Sequence, residues 1–245
     1  MSIWGKIAGA AAGFVLAGGP LGALLGSVAG HYVFDKQGRQ VGGAEKQAQD
    51  QVAFTIGVIA LGAKMAKADG RVTRDEVNAF REVFQVPPSE FEHVKRVFNR
   101  ARKDMAGYEG YAQQIAGLFR SNPGVLEDLL DGLFYIAKAD GVIHPKEIDY
   151  LQNVAGIFGF SESEFARIRS GHLGADVSDP YVILGVDVSI SNIELKTTYR
   201  RLVRENHPDA LVARGVPEEF IVLANDKLAV INDAYDRIMQ SRGIT

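Results

Sequence analysis

Tyr199-Arg200-Arg201-Leu202-Val203-Arg204-Glu205-Asn206-His207-Pro208-Asp209 runs a basic amphipathic helix into an abrupt stop. Upstream, Ser191-Asn192-Ile193-Glu194 has the Ser-x-x-Glu spacing of a capping box, which opens a helix there. Leu195, Tyr199, Leu202 and Val203 recur at the spacing of a buried stripe. Lys196, Arg200 and Arg204 follow one another every four residues beside it, with Arg201 adjacent. Pro208 disfavours helical geometry at His207, so the helix ends near Asn206.

Before this helix, Asp179-Pro180-Tyr181-Val182-Ile183-Leu184-Gly185 reads as one capped turn: Asp179 caps, Pro180 takes the first position and Gly185 ends it. After it, beyond a loop through Gly215, Phe220, Leu223, Ala224, Lys227, Leu228, Ile231, Ala234, Tyr235 and Ile238 keep helical spacing to Met239. Two long helices, each with one apolar stripe, make an antiparallel hairpin over residues 178–245. His207-Pro208-Asp209 lies in the exposed connection, where core packing cannot be its reason.

This order of elements resembles the J-domain. That family has a short helix with Tyr and Leu-Gly, a basic helix with Tyr-Arg-Arg-Leu, a His-Pro-Asp loop and a helix ending in Ile-Asn-Asp-Ala-Tyr, here Ile231 to Tyr235. The resemblance implies that Lys196, Arg200, Arg201 and Arg204 dock on the acidic face of an Hsp70. It further implies that His207, Pro208 and Asp209 trigger ATP hydrolysis by that partner. The blander readings are a solvated cationic helix face and a simple helix-breaking turn. Glu205 and Asn206 depart from the pattern, since many J-domains place a basic and an aromatic residue before the histidine.

Residues 48–172 read as a helical domain with an internal repeat. Ala66-Lys67-Ala68-Asp69-Gly70 recurs as Ala137-Lys138-Ala139-Asp140-Gly141, and Ser89-Glu90-Phe91 as Ser163-Glu164-Phe165. Gly70 and Gly141 suit left-handed helix ends, Thr73 with Glu76 makes a capping box, and Pro145 fits a first turn. Asp69, Glu76, Asp140 and Glu147 are weak candidates for a metal site. The loop lacks the alternating acidic run of an EF-hand, so the preferred reading is structural, with no metal. A stretch at Ser170-Gly171-His172-Leu173-Gly174 reads as a short flexible connection to the hairpin.

Within residues 1–35, Ile7 to Gly30 carries no charge over 24 residues. As a helix that is about 36 Å long, enough to span a bilayer core. Trp4 and Tyr32 bracket it at interfacial positions. Gly18, Gly22, Gly26 and Gly30 line one face on which a second helix could pack, giving a homodimer through the membrane. A signal peptide ending at Ser27-Val28-Ala29, a re-entrant hairpin turning at Gly18-Gly19-Pro20 and a soluble buried glycine-rich helix are the competing readings. Lys36, Arg39 and Lys46 against Lys6 favour a cytoplasmic C-terminal side.

Taken together, the fold class is all-α. The resemblance covers nearly the whole chain. Trp4-Gly5-Lys6-Ile7, Gly30-His31 with Phe34-Asp35-Lys36, His144-Pro145-Lys146-Glu147 and Leu211-Val212-Ala213-Arg214-Gly215 are similar to the DjlA type of membrane-anchored DnaJ-like co-chaperone. The middle region is similar to TerB-like domains. Membership implies a bacterial inner membrane, a single pass, cytoplasmic C-terminal domains and a DnaK-type Hsp70 as partner.

The 245 residues carry a net charge of −3, which gives no reason to expect nucleic-acid binding. The absence of cysteine removes disulfides, thiol nucleophiles and Cys-ligated zinc. With no nucleophile–base pair, phosphate loop or metal triad in view, the expectation is a non-enzymatic co-chaperone without cofactor. The alternatives are a metal- or stress-sensing membrane protein acting through its middle domain, and a membrane scaffold.

Overall fold

The computed structural model describes residues 19–22, 43–68, 86–88, 91–103, 107–139, 141–174 and 178–244. Every regular element among the described residues is helical. The centre is α1 (Gly43–Ala68), buried on all sides from Gln51 to Ala66. A helix apolar all round has to be surrounded. The helices α2 (Phe91–Lys103), α3 (Tyr108–Leu118), α4 (Pro123–Ala137) and α5 (Pro145–Phe158) do this. Gly57 sets the α1–α3 distance, because a Cβ there would lie 2.9 Å from Ile115 Cδ1. The Tyr150 hydroxyl donates to the α1 carbonyl of Leu61 at 2.8 Å, tying α5 to the same helix.

Local chemistry sets the helix ends much as the residues suggest. Gly141 has φ +91°, Pro145 opens α5, and the His144 N–H donates to Glu147 at 2.9 Å. Left-handed Gly159 (φ +92°) ends α5. Ser161 and Glu164 then form a reciprocal capping box for α6 (Glu162–His172). Ser170, Gly171 and His172, read as part of a flexible stretch, instead complete α6. The connection is pinned further on, where the Ser178 hydroxyl donates toward the Ser170, Leu173 and Gly174 carbonyls.

The C-terminal hairpin comprises α7 (Pro180–Leu184), α8 (Asn192–Glu205), α9 (Pro208–Ala213), a 3-10 turn at Glu218–Phe220 and α10 (Ile221–Ser241). Asp179 caps α7 and Gly185, at φ +64°, ends it; Ser191 and Glu194 cap α8. Its own core joins Ile183, Leu184, Leu195, Leu202, Ile231, Ala234 and Ile238. Tyr199 stacks on Tyr235 with centroids 4.0 Å apart. Arg242 ties the far end shut, donating to the Ile190 and Val188 carbonyls.

Two features differ from the sequence reading. The segment after the proline is helical rather than a plain loop: Pro208 takes the first position of α9, and His207 Nδ1 accepts from the Asp209 N–H at 3.2 Å. The hairpin is also not packed only on itself. Leu211, Val216, Phe220 and Ala224 belong to the same apolar cluster as α1 and α4, and the Phe220 ring meets Phe54 edge-on at 4.8 Å.

Of the glycine-rich N-terminal segment only Gly19–Gly22 is described. There Leu21 is buried, and its N–H donates to Gln114 on α3 at 2.9 Å. These four residues are helical, and the span and the turn considered for this segment lie mostly outside the described residues. Among the described residues no helix is long and apolar enough to cross a membrane. Gly18, Gly26 and Gly30 of the glycine face lie outside the described residues, and Gly22 is half-buried.

Candidate functional site

The basic face of α8 is free. Lys196, Arg200, Arg201 and Arg204 are all exposed, while Leu195 and Leu202 on the opposite face are buried. Arg201 pairs with Glu205 one turn on at 2.7 Å, an exposed pair of small energetic weight. At the end of this face stand His207, 54% exposed, and Asp209, 94% exposed. Four cations, an imidazole and a carboxylate therefore share one solvent-facing edge. Such an edge suits docking on an acidic partner and carries no evident bond-making chemistry.

Asn206, the departure noted in the sequence, has a structural task. It is buried, and its side-chain amide donates to the Leu202 carbonyl at 2.8 Å, closing the last turn of α8.

Behind the exposed edge, the hairpin is seated on an acidic face of α4 through ion pairs that helical periodicity does not reveal. Lys227 donates to Glu127 at 2.6 Å and to Asp131 at 2.7 Å. Arg214 donates to Asp128 at 2.8 Å. From α6, Arg167 pairs with Glu127, and His172 lies 2.8 Å from Asp131 while stacking on Phe134. Beside this network a cleft of about 730 Å³ opens between the two units, floored by Leu202, Leu223 and Val230.

Burial pushes the Asp128 carboxyl up to about 6, against the pull of Lys227 and Arg214. Burial acts likewise on Glu127 and Asp131. There Lys227, with Arg167 at the first and His172 at the second, overcomes it and holds both below the usual carboxylate range. Burial alone would lower the Lys227 ammonium, but Asp131 and Glu127 raise it above its ordinary value.

These shifts have opposite consequences for stability. Asp128, raised on folding, contributes more as the pH falls through 6. Glu127 and Asp131, lowered on folding, contribute above their unfolded values and lose that contribution as the pH drops below about 4. Urea midpoints are therefore expected to hold or rise slightly from pH 7 to 5 and to fall steeply below 4.

Of the metal candidates, Asp69, Glu76 and Asp140 lie outside the described residues, and Glu147 is buried with its carboxylate accepting from the start of α5. Among the described residues no group of three His, Asp or Glu side chains could hold a metal ion.

The chain is 31% identical to the co-chaperone protein DjlA of Photobacterium profundum, with 98% of this chain and 99% of the relative covered. This chain belongs to the DjlA co-chaperone family. The DjlA proteins of Legionella pneumophila and Coxiella burnetii are each 28% identical, over 98% of this chain and 96% and 98% of theirs. Residues 1–49 match the family described as "Co-chaperone DjlA transmembrane domain", and residues 55–170 match "Tellurite resistance protein TerB". No solved structure matches. As a DjlA family member the chain is a membrane-anchored, DnaJ-like co-chaperone with a TerB-like middle region and a C-terminal J-domain.

Proposed function

We propose that this DjlA family member recruits a DnaK-type Hsp70 to the bacterial inner membrane and stimulates its ATPase there. Residues 1–35 anchor it, residues 48–172 form the TerB-like domain, and the J-domain at 178–245 works on the cytoplasmic side. The observation that carries this reading is the exposed edge where the α8 cations run into His207 and Asp209. The middle domain occupies a different side of the hairpin, so the seated J-domain keeps this edge open to a partner. Lys196, Arg200, Arg201 and Arg204 supply the docking charge, and His207, Pro208 and Asp209 deliver the signal. The anchor face of Gly18, Gly22, Gly26 and Gly30 supports a homodimer in the membrane.

Docking by charge has a direct test. With the full chain in nanodiscs, Arg200→Glu combined with Arg204→Glu is expected to raise the Kd for Hsp70 at least about tenfold at low salt. Wild-type binding should weaken with added salt, because exposed charges are screened. Unchanged affinity in the double variant would remove α8 as the docking face.

A further inference from the structure

Leu211-Val212-Ala213-Arg214-Gly215 follows the His-Pro-Asp loop and has no part in the docking edge. The structure gives this segment a different task. Leu211 is buried in the shared core, and the Val212 carbonyl accepts from the α1 side chain of Gln47 at 3.1 Å. Gly215 holds φ +95° where a Cβ would lie 3.2 Å from Asp50 Cβ, so a larger residue there would be both strained and crowded.

Arg214 lies between the two domains and touches both. One guanidinium nitrogen, Nη2, donates to Asp128 Oδ2 on α4 at 2.8 Å. The other, Nη1, donates at 2.9 Å to the carbonyl of Glu205, the last residue of α8 and two positions before His207. The Arg214 carbonyl in turn accepts from Asn122, the residue capping α4, at 3.4 Å. Gly124 leaves room for the guanidinium over the first turn of α4, since a Cβ there would come within 3.2 Å of Nη1. The planar fork can satisfy a carboxylate on one domain and a helix-terminal carbonyl on the other together.

We propose that Arg214 is a positioning residue through which the middle domain, by way of Asp128, holds the His-Pro-Asp loop in its signalling geometry. This rests on the co-chaperone reading for its consequence but not for its geometry. The carbonyl at Glu205 is where α8 ends and the signalling segment begins. Fixing it from α4 makes the loop's orientation depend on the middle domain. Docking, which uses the far face of α8, does not share this dependence. The TerB-like domain thereby becomes a determinant of how well bound Hsp70 is stimulated, rather than a passive spacer.

The test separates binding from stimulation. Arg214→Ala and Asp128→Asn are introduced singly into the full chain in nanodiscs, and single-turnover ATP hydrolysis by Hsp70 is titrated with each. Both variants are expected to lower maximal stimulation by about tenfold, the scale of one lost charge-assisted hydrogen bond, with the half-saturating concentration unchanged. Arg214→Lys, which can reach one partner but not both, should recover only part of it.

Amide exchange at Asp209 and Ala210 is read alongside and should accelerate in both variants while that of the α10 core stays slow. Asp128→Asn, nearly isosteric, serves if Arg214→Ala fails to fold. Wild-type stimulation and loop protection in folded variants would overturn the inference. If the wild-type chain itself gave no stimulation, the co-chaperone reading would fail, and the exchange data would still decide whether Asp128 and Arg214 hold the loop.

Discussion

Replacing Phe220 by alanine is expected to cost about 3–5 kcal/mol and to loosen both halves of the molecule in one unfolding transition. Phe220 is fully buried, yet it belongs to the 3-10 turn that starts the last J-domain helix, and its ring meets Phe54 of α1 edge-on. Truncation would leave a cavity between α1 and the hairpin, where neither side can collapse without shifting the other. The measurement is urea unfolding followed at two probes, one reporting α1 to α5 and one reporting the hairpin. Coincident midpoints, both lowered, are expected. A hairpin that melts early while the middle domain keeps its wild-type midpoint would show that the shared core contributes little.

The second large effect is on signalling. His207→Gln should reduce stimulation of Hsp70 ATP hydrolysis to near background, with the urea midpoint within about 0.5 kcal/mol of wild type. The side chain is half exposed, and among the described residues its polar contacts stay within the loop: the cap to the Asp209 N–H, a bond typically worth about 1 kcal/mol or less at an exposed site, and the Asp209 carboxylate at 3.6 Å. Function and stability therefore separate at this position, whereas at Phe220 they fall together. Equal stimulation by the variant would place the signal elsewhere.

The local parts of this architecture are legible because each rests on neighbours in sequence. Ser191 with Glu194, Asp179 with Pro180 and Gly185, and Gly141 ahead of Pro145 all act within a few residues, and all are found in their expected roles. Long-range choices leave no such trace. Lys227 fits the helical spacing of α10 as well as any apolar residue. Nothing in the spacing shows that it will be buried between Glu127 and Asp131, 100 and 96 residues away.

The role of Arg214 leaves no trace for the same reason, and neither does the split of α10 into one end that packs on α4 and another that packs on α7 and α8. Asn206 looks like a defect when set beside other J-domains. It proves to be a buried group that satisfies an α8 carbonyl, which only a three-dimensional inventory of donors and acceptors reveals. The exposed cations of α8 were readable precursors of the site, since a polar face beside an apolar stripe must be outward. Asp69, Glu76 and Asp140 lie outside the described residues, so only Glu147 of that set has a described role, at the start of α5.

On the proposed function, this chain acts on an Hsp70 through the exposed edge of α8. The most direct test is single-turnover ATP hydrolysis by the DnaK-type Hsp70 of the same organism, with the wild-type chain in nanodiscs titrated from zero to saturation. The expected result is a saturable rise of at least about tenfold in the hydrolysis rate, the scale set by little more than 1.4 kcal/mol off the barrier. A flat rate across the titration, with the hairpin shown to be folded, would contradict it.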